Sequence, residues 1–109
     1  MKFKKGKFYI AIRVKESKQA TFIIKEGWID TSEEFGFHKK ANGWCGIDLE
    51  SGTAICWRKT RKACAEFIEE NFERILYSKQ DEHYKTFLKI RDDWMKENNI
   101  KQFIIDCKE

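Results

Sequence analysis

The residues whose types and spacing point most directly to chemistry are the four cations around Thr60: Arg58, Lys59, Arg61 and Lys62. Apolar residues recur downstream at helical spacing, which predicts that a helix begins here. A helix N-terminus carries about half a positive charge, so each nearby cation is unfavourable by about 0.3–1 kcal/mol. The free backbone N–H groups of a helix start also bind anions. We therefore predict that residues 58–62, the basic helix start, bind a phosphate, a nucleic-acid backbone or an acidic protein surface.

A second group of cations lies near the beginning of the sequence. Residues 1–25 contain eight Lys or Arg and one Glu, whereas residues 26–57 contain two basic and six acidic residues. Residues 63–109 are again acidic, with eight basic and eleven acidic residues, so basic and acidic segments alternate. If the first strand lies beside the basic helix start, the two basic segments form one patch. We therefore predict a second part of the binding site at Lys4, Lys5 and Lys7.

Aromatic residues make up 15% of the chain and include four Trp. Nucleic-acid bases stack on aromatic faces, so a sheet that carries exposed rings beside lysines is typical of single-strand binding. Trp57 directly precedes the basic helix start and joins the predicted site. Tyr9, Phe37 and Trp44 are further candidates for stacking, although most rings of a small protein fill its core. The same residue types also dominate protein interfaces, so the pattern fits a protein partner equally well.

Catalytic and metal-binding patterns are weak. His38 is predicted to lie on a strand, where it could meet Asp48 or Cys45 across a hairpin, and His83 lies on a helix without a motif around it. A reactive thiol needs a neighbouring cation or a helix N-terminus to lower its pKa. A chance neighbour is much commoner than a catalytic pair, so we predict no catalytic residues, no metal site and no cofactor. The chain is interpreted as a non-enzymatic protein.

Length and composition limit the domain number and the cellular location that the sequence predicts. A length of 109 residues and 41% hydrophobic residues predict one globular domain over residues 1–109. No apolar run reaches the roughly 18–20 residues that cross a bilayer, and no signal peptide is recognisable. The four cysteines form no Cys-x-x-Cys pair and are interpreted as reduced core residues. We therefore predict a cytoplasmic protein without a membrane partner.

Two-residue alternation and turn signals predict an antiparallel meander followed by helices. The predicted strands cover residues 8–14, 20–29 (continued past a bulge at Gly27), 35–39, 44–49 and 53–57, with a last strand at 100–107. Asn42-Gly43 is the strongest turn signal, because both residue types favour positive φ. Thr60 is predicted to cap a helix that ends near residue 77, and a second helix is predicted over residues 81–98. The fold class is α+β, with five or six strands packed against two C-terminal α-helices.

Part of the chain resembles small phage and prophage proteins. The pattern is Gly43-Trp44-x-x-x-Asp48-x-x-Ser51-Gly52-x-x-Ile55 followed by Thr60-Arg61-Lys62-Ala63, and it covers about a fifth of the sequence. The lysine-rich, proline-free composition is similar to that of phage-encoded inhibitors of host defence, including anti-CRISPR proteins. The resemblance implies a protein that blocks a host nucleic-acid-handling enzyme or sequesters its signal molecule. It transfers no site residues, because these inhibitors share no motif.

These observations lead to one prediction of function and two alternatives. The first is a small accessory or inhibitor protein that docks on a host protein of a nucleic-acid or defence system. The first alternative is direct binding of nucleic acid by the basic helix start, and the second is a pocket at that position for a small phosphorylated signal molecule. The predicted last strand is also free to pair with another copy of the chain, which would give a homodimer.

Overall fold

The structure, a computed structural model, describes residues 1–12 and 21–108 and shows a six-stranded antiparallel sheet with three helices. The strand order is β5-β4-β3-β2-β1-β6, so consecutive strands pair in a meander and the last strand joins β1. The predicted α+β class is confirmed. The predicted turn at residues 16–19 and the end of the first strand at Val14 lie outside the described residues. The elements are β1 (Phe3–Ile12), β2 (Thr21–Asp30), β3 (Phe35–Lys40), β4 (Gly43–Asp48), β5 (Ala54–Arg58), α1 (Arg61–Glu70), α2 (Phe72–Ser78), α3 (Glu82–Glu97) and β6 (Ile104–Lys108).

The sheet curls until the turn after β4 meets β1. The backbone N–H of Ala11 donates to the carbonyl oxygen of Gly52 at 2.8 Å, and that of Tyr9 donates to Phe103 at 3.0 Å. Successive side chains of a strand point to opposite faces, so one face of each strand lies inside the curl. The inner face is closed by apolar side chains and needs no helix to cover it: Phe8, Ile10, Ile29, Cys45, Ile47 and Leu49.

The helix α1 packs on the outer face of β3, β4 and β5. Its buried residues are Cys64, Ala65 and Ile68, which join Phe35 and Phe37 of β3 in a second apolar cluster. Thr60 caps the helix as predicted, since its hydroxyl accepts from the backbone N–H of Ala63 at 3.0 Å. This contact fixes where the chain leaves β5 and therefore where the basic helix start lies.

The predicted first helix is divided into α1 and α2 at Asn71. Both the side-chain amide and the backbone N–H of Asn71 donate to the carbonyl oxygen of Phe67, at 2.8 and 3.0 Å. An asparagine side chain that binds a backbone carbonyl competes with helix continuation, which explains the interruption. The predicted second helix is confirmed as α3, which packs Trp94 against Phe22 with ring centroids 4.8 Å apart.

Two predicted turn features are wrong in detail. The loop between β3 and β4 is Ala41-Asn42, and neither Asn42 nor Gly43 has a positive φ. Gly43 instead allows the carbonyl oxygen of Arg58 on β5 to approach closely. The bulge predicted at Gly27 is also absent from the β1–β2 pairing, where the register is unbroken. Gly27 is required because a Cβ there would overlap the carbonyl oxygen of Phe37.

The last predicted strand begins four residues later than expected and pairs with β1 of the same chain as β6. No helix in the described ranges, 1–12 and 21–108, has the length and apolar character that a membrane span requires.

Candidate nucleic-acid interface

The basic helix start does not present its cations as one cluster. The Arg61 guanidinium turns back toward the sheet and lies 4.4 Å from the ring centroid of Trp28 and 4.7 Å from that of Phe3. The Arg58 guanidinium lies 4.4 Å from the ring centroid of Phe67. Lys59 and Lys62 are exposed. Arg58 and Arg61, two of the four predicted site cations, are therefore held on different aromatic rings and do not point together at the helix N-terminus.

The recess beside the helix start is poorly suited to phosphate. It is lined by Arg61 and Lys62, but also by Glu66 and Glu69 on the next turn of α1. The terminal amine of Met1 is 3.1 Å from a carboxylate oxygen of Glu69. Carboxylates that line the recess repel an anion that enters it. A pocket for a phosphorylated signal molecule is not favoured at the position where the sequence predicts it.

A groove on the outer face of the sheet combines basic and aromatic side chains, and we call it the basic aromatic groove. It encloses about 370 Å³ and lies where β2 and β3 separate beyond their two paired positions. At one end of the groove, Gly27 lets the carbonyl oxygen of Phe37 approach β2 closely. The side chains that define the groove come from four neighbouring strands: Lys5, Lys7, Trp28, Lys39 and Trp44.

Trp28 joins the two basic segments of the sequence. Lys5 faces Trp28 in the β1–β2 register, and its ammonium nitrogen lies 5.6 Å from the ring centroid. The Arg61 guanidinium contacts the same ring from the helix side. β1 thus lies near the basic helix start, which is the condition under which the two basic segments form one patch. Lys5, Lys7 and Arg61 therefore belong to one patch, and Lys39 extends it across β3.

The groove carries a strong excess of positive charge. Among the described residues that line it, Glu26 alone is acidic, and its carboxylate is 3.8 Å from the ammonium of Lys7. Both side chains are largely exposed, so the pair is weak and screened by salt. An incoming anion can displace this contact at little cost.

Lys4 and Trp57 of the predicted site lie away from the groove, and Arg58, Lys59 and Lys62 do not line it either. Lys4 alternates with Lys5 on β1, and its ammonium donates to a carboxylate oxygen of Glu33 at 2.9 Å. Trp57 pairs with Cys45 of β4, on the face opposite to Trp44, and 48% of its surface is exposed. The alternation of side chains along β1 and β5 explains both placements. The sequence identifies Trp44 only as a stacking candidate and gives no signal that selects Trp28 or Lys39.

The histidine and cysteine geometry does not resemble a catalytic pair. His38 and Cys45 are cross-strand neighbours in β3 and β4, whereas Asp48 pairs with Phe35 at the other end of the hairpin. Burial lowers the pKa of His38, and burial raises the pKa of the Cys45 thiol. Both groups are thereby held in their neutral forms, the reverse of a thiolate–imidazolium pair.

A metal centre has no support in the described residues. No three His, Cys, Asp or Glu side chains among them lie together in an arrangement that could hold an ion. Cys45, Cys56 and Cys64 are buried free thiols. The lysine and tryptophan side chains that line the groove offer charge attraction, hydrogen bonding and stacking.

No protein-family model, curated protein or solved structure matches this chain.

Proposed function

We propose that this protein is a non-enzymatic binding protein that holds single-stranded nucleic acid in the basic aromatic groove. The observation that carries the proposal is the meeting of Lys5 and Arg61 on the Trp28 ring, beside the half-buried ring of Trp44. A track of cations attracts the phosphate backbone, and aromatic faces stack with bases of any sequence. A duplex keeps its bases stacked internally, so the aromatic contribution favours a single strand.

Within the groove, the roles divide by chemistry. Lys5, Lys7 and Lys39 supply mobile ammonium groups for phosphate oxygens. The Arg61 guanidinium is planar and already lies against Trp28, so it offers a cationic surface that is fixed in place. Trp44 provides the stacking face. We further propose that the protein acts in the cytoplasm, since buried free thiols persist in a reducing compartment.

Fluorescence anisotropy with labelled oligonucleotides tests this function. We expect single-stranded DNA or RNA to bind with micromolar or tighter affinity at about 50 mM salt, and duplexes to bind more weakly. Replacing Trp44 with Leu removes the stacking face and should weaken binding by about 1–3 kcal/mol. Lys85→Gln, an exposed change on α3, is the control and should bind as wild type does.

Circular dichroism and urea unfolding establish that each variant is folded before its affinity is compared. Absence of binding to any single strand at low salt would overturn the proposal. Equal oligonucleotide affinity of Trp44→Leu and Lys85→Gln would show that stacking on Trp44 does not contribute to binding.

A second function, docking on a host protein as a phage-type inhibitor, is favoured by the surface of α2. Phe72, Leu76 and Tyr77 are 37, 44 and 77% exposed, although they lie within one short helix. Exposed apolar side chains that cluster in this way are typical of protein-binding faces. Binding through α2 predicts that a Phe72→Ser/Leu76→Ser variant loses a protein partner while its oligonucleotide affinity is unchanged. An interface of this type should weaken far less with salt than the groove does.

A further inference from the structure

A second recess lies between the β4–β5 turn and the three helices, and it shares no lining residue with the basic aromatic groove. It encloses about 420 Å³, within the roughly 300–1,000 Å³ that is usual for small-molecule pockets. Three half-buried apolar side chains line it: Ile55 of β5, Phe67 of α1 and Ile75 of α2. These side chains also pack on the second apolar cluster, so the core holds this wall in place. The recess therefore has the size and the lining to cover the apolar body of a small ligand.

The acidic side of the recess is already satisfied within the protein. Asp48 is 3% exposed, and its Oδ2 atom accepts from the Ser51 hydroxyl at 2.7 Å and from the Tyr84 hydroxyl at 2.6 Å. The Lys79 ammonium lies 2.9 Å from Oδ1 of Asp48 and 3.8 Å from a carboxylate oxygen of Glu50. Lys79 is therefore committed to these two carboxylates, and neither it nor Asp48 is open to a ligand.

Arg74 is the side chain of the recess that brings an uncompensated charge. Its guanidinium is exposed, and no carboxylate in the described ranges lies within 4.0 Å of it. Two neighbouring polar groups already donate inside the protein. The Ser78 hydroxyl donates to the carbonyl oxygen of Ile75 at 2.6 Å, and the Asn71 amide donates to that of Phe67 at 2.8 Å. The polar group of a ligand is therefore expected to be an anion that pairs with Arg74.

The charges around the recess favour an anion with a single negative charge. Asp48 and Glu50 supply two negative charges, and Lys79 and Arg74 supply two positive ones. A phosphate monoester carries nearly two negative charges at neutral pH and would be repelled more strongly by the two carboxylates than a carboxylate ligand would. A planar guanidinium also binds a carboxylate through two parallel hydrogen bonds.

We propose that this recess binds a small monocarboxylate with an apolar alkyl or aryl body. The carboxylate pairs with the Arg74 guanidinium, and the body covers Ile55, Phe67 and Ile75. The site is independent of the groove, because none of these residues takes part in the proposed binding of a single strand.

Titration of ¹⁵N-labelled protein with three probes tests the proposal: 3-phenylpropionate, its neutral amide 3-phenylpropanamide, and acetate. We expect 3-phenylpropionate to shift the amide signals of Ile55, Asn71 and Ile75 with about millimolar affinity, as is usual for a ligand of this size. The amide lacks the charge and acetate lacks the apolar body, so each should bind at least about tenfold more weakly. Equal affinity for 3-phenylpropionate and its amide, or the absence of shifts at the recess, would overturn the proposal.

Two exposed positions on α2 give variants that are not expected to disturb the fold. Arg74→Gln removes the charge and should weaken binding of 3-phenylpropionate at least about tenfold, while binding of the amide is unchanged. Ser78→Trp fills the recess and should weaken binding of both. The matched control Lys89→Gln makes the same change in net charge as Arg74→Gln at an exposed position of α3 that does not line the recess, and it should bind as wild type does. Wild-type affinity in both α2 variants would refute the site.

Oligonucleotide binding separates this proposal from the function of the groove. Arg74 and Ser78 do not line the groove, so both variants should bind single strands as wild type does. Loss of 3-phenylpropionate binding with unchanged oligonucleotide binding would assign the two ligands to two sites. Competition between 3-phenylpropionate and an oligonucleotide would place both ligands in the groove and would overturn the proposal.

Discussion

The salt dependence of oligonucleotide binding follows quantitatively from the groove. Four cations face it or adjoin it: Lys5, Lys7, Lys39 and Arg61. Each phosphate neutralised on a single strand contributes about −0.7 to the slope of log affinity against log salt, so four contacts give about −2.8. Raising salt from about 50 to about 200 mM should then weaken wild-type binding about 50-fold.

The informative perturbation is the double variant Lys5→Gln/Lys7→Gln. It leaves two of the four contacts, so the expected slope is about −1.4 and the same rise in salt should weaken binding about sevenfold. Both side chains are exposed, and the one ion pair that is lost, Lys7 with Glu26 at 3.8 Å, is weak. The fold should therefore be unaffected, and the changed slope can be assigned to the groove.

A matched control has the same change in net charge at a distance from the groove. Lys85→Gln/Lys89→Gln removes two exposed lysines from α3 and should keep the wild-type slope of about −2.8. Fluorescence anisotropy at four salt concentrations between about 50 and about 200 mM measures the slopes of the Lys5/Lys7 variant and of this control. A slope that is unchanged in the Lys5/Lys7 variant, or lowered equally in the control, would show that binding follows net charge and would refute the groove as the site.

Three further predictions concern the fold. Burial lowers the pKa of His38 below its usual 6.5, so as the pH falls the unfolded chain takes up a proton before the folded chain does. The free energy of unfolding should therefore be full above about pH 6.5 and fall below it. In urea unfolding, His38→Gln should lose less of this free energy than wild type between about pH 7.5 and about pH 5.5. Equal losses in both proteins would contradict this. Gly27→Ala should lower the unfolding free energy by about 3 kcal/mol, because the new methyl group overlaps the Phe37 carbonyl, and a change under about 0.5 kcal/mol would be inconsistent with that approach. Burial raises the pKa of the Cys64 thiol to about 12, so the thiol is not a reactive thiolate near neutral pH. Peptide mapping should find Cys64 unalkylated in the folded protein and alkylated in urea. Rapid alkylation of Cys64 in the folded protein would contradict this prediction.

Local signals in the sequence predict most of the elements. Thr60 caps α1, α3 spans nearly all of its predicted range, and alternation identifies five strands before the first helix. Each of these depends on residues a few positions apart, where backbone geometry and side-chain period are sufficient. The Ala41-Asn42 loop is different, because Gly43 is in close contact with Arg58 on the neighbouring strand. The break at Asn71 is local, but it depends on a side-chain bond to the Phe67 carbonyl that apolar periodicity does not reveal.

The composition of the groove could be predicted only in part. Lys5 and Lys7 were identified from charge, but the choice between Lys4 and Lys5 depends on which face of β1 lies outside the curl. Trp28 was missed because its role comes from contacts with residues 23 and 33 positions away. Such long-range placement is set by strand register and by the curl of the sheet, and a single sequence carries no direct signal for either.

The structure also changes what the basic helix start implies. Each of its cations is disfavoured at a helix N-terminus by about 0.3–1 kcal/mol, which from the sequence alone predicts a bound anion. Arg61 lies over Trp28 and Arg58 over Phe67, each at 4.4 Å, and a cation above an aromatic ring gains about 0.5–1 kcal/mol at an exposed site. These contacts are large enough to offset the unfavourable placement without any ligand. Arg61 therefore has a structural role as well as a proposed binding role, and its replacement would disturb both. Lys5 and Lys7 lie outside the basic helix start and are exposed, which makes them the residues where binding can be tested separately from folding.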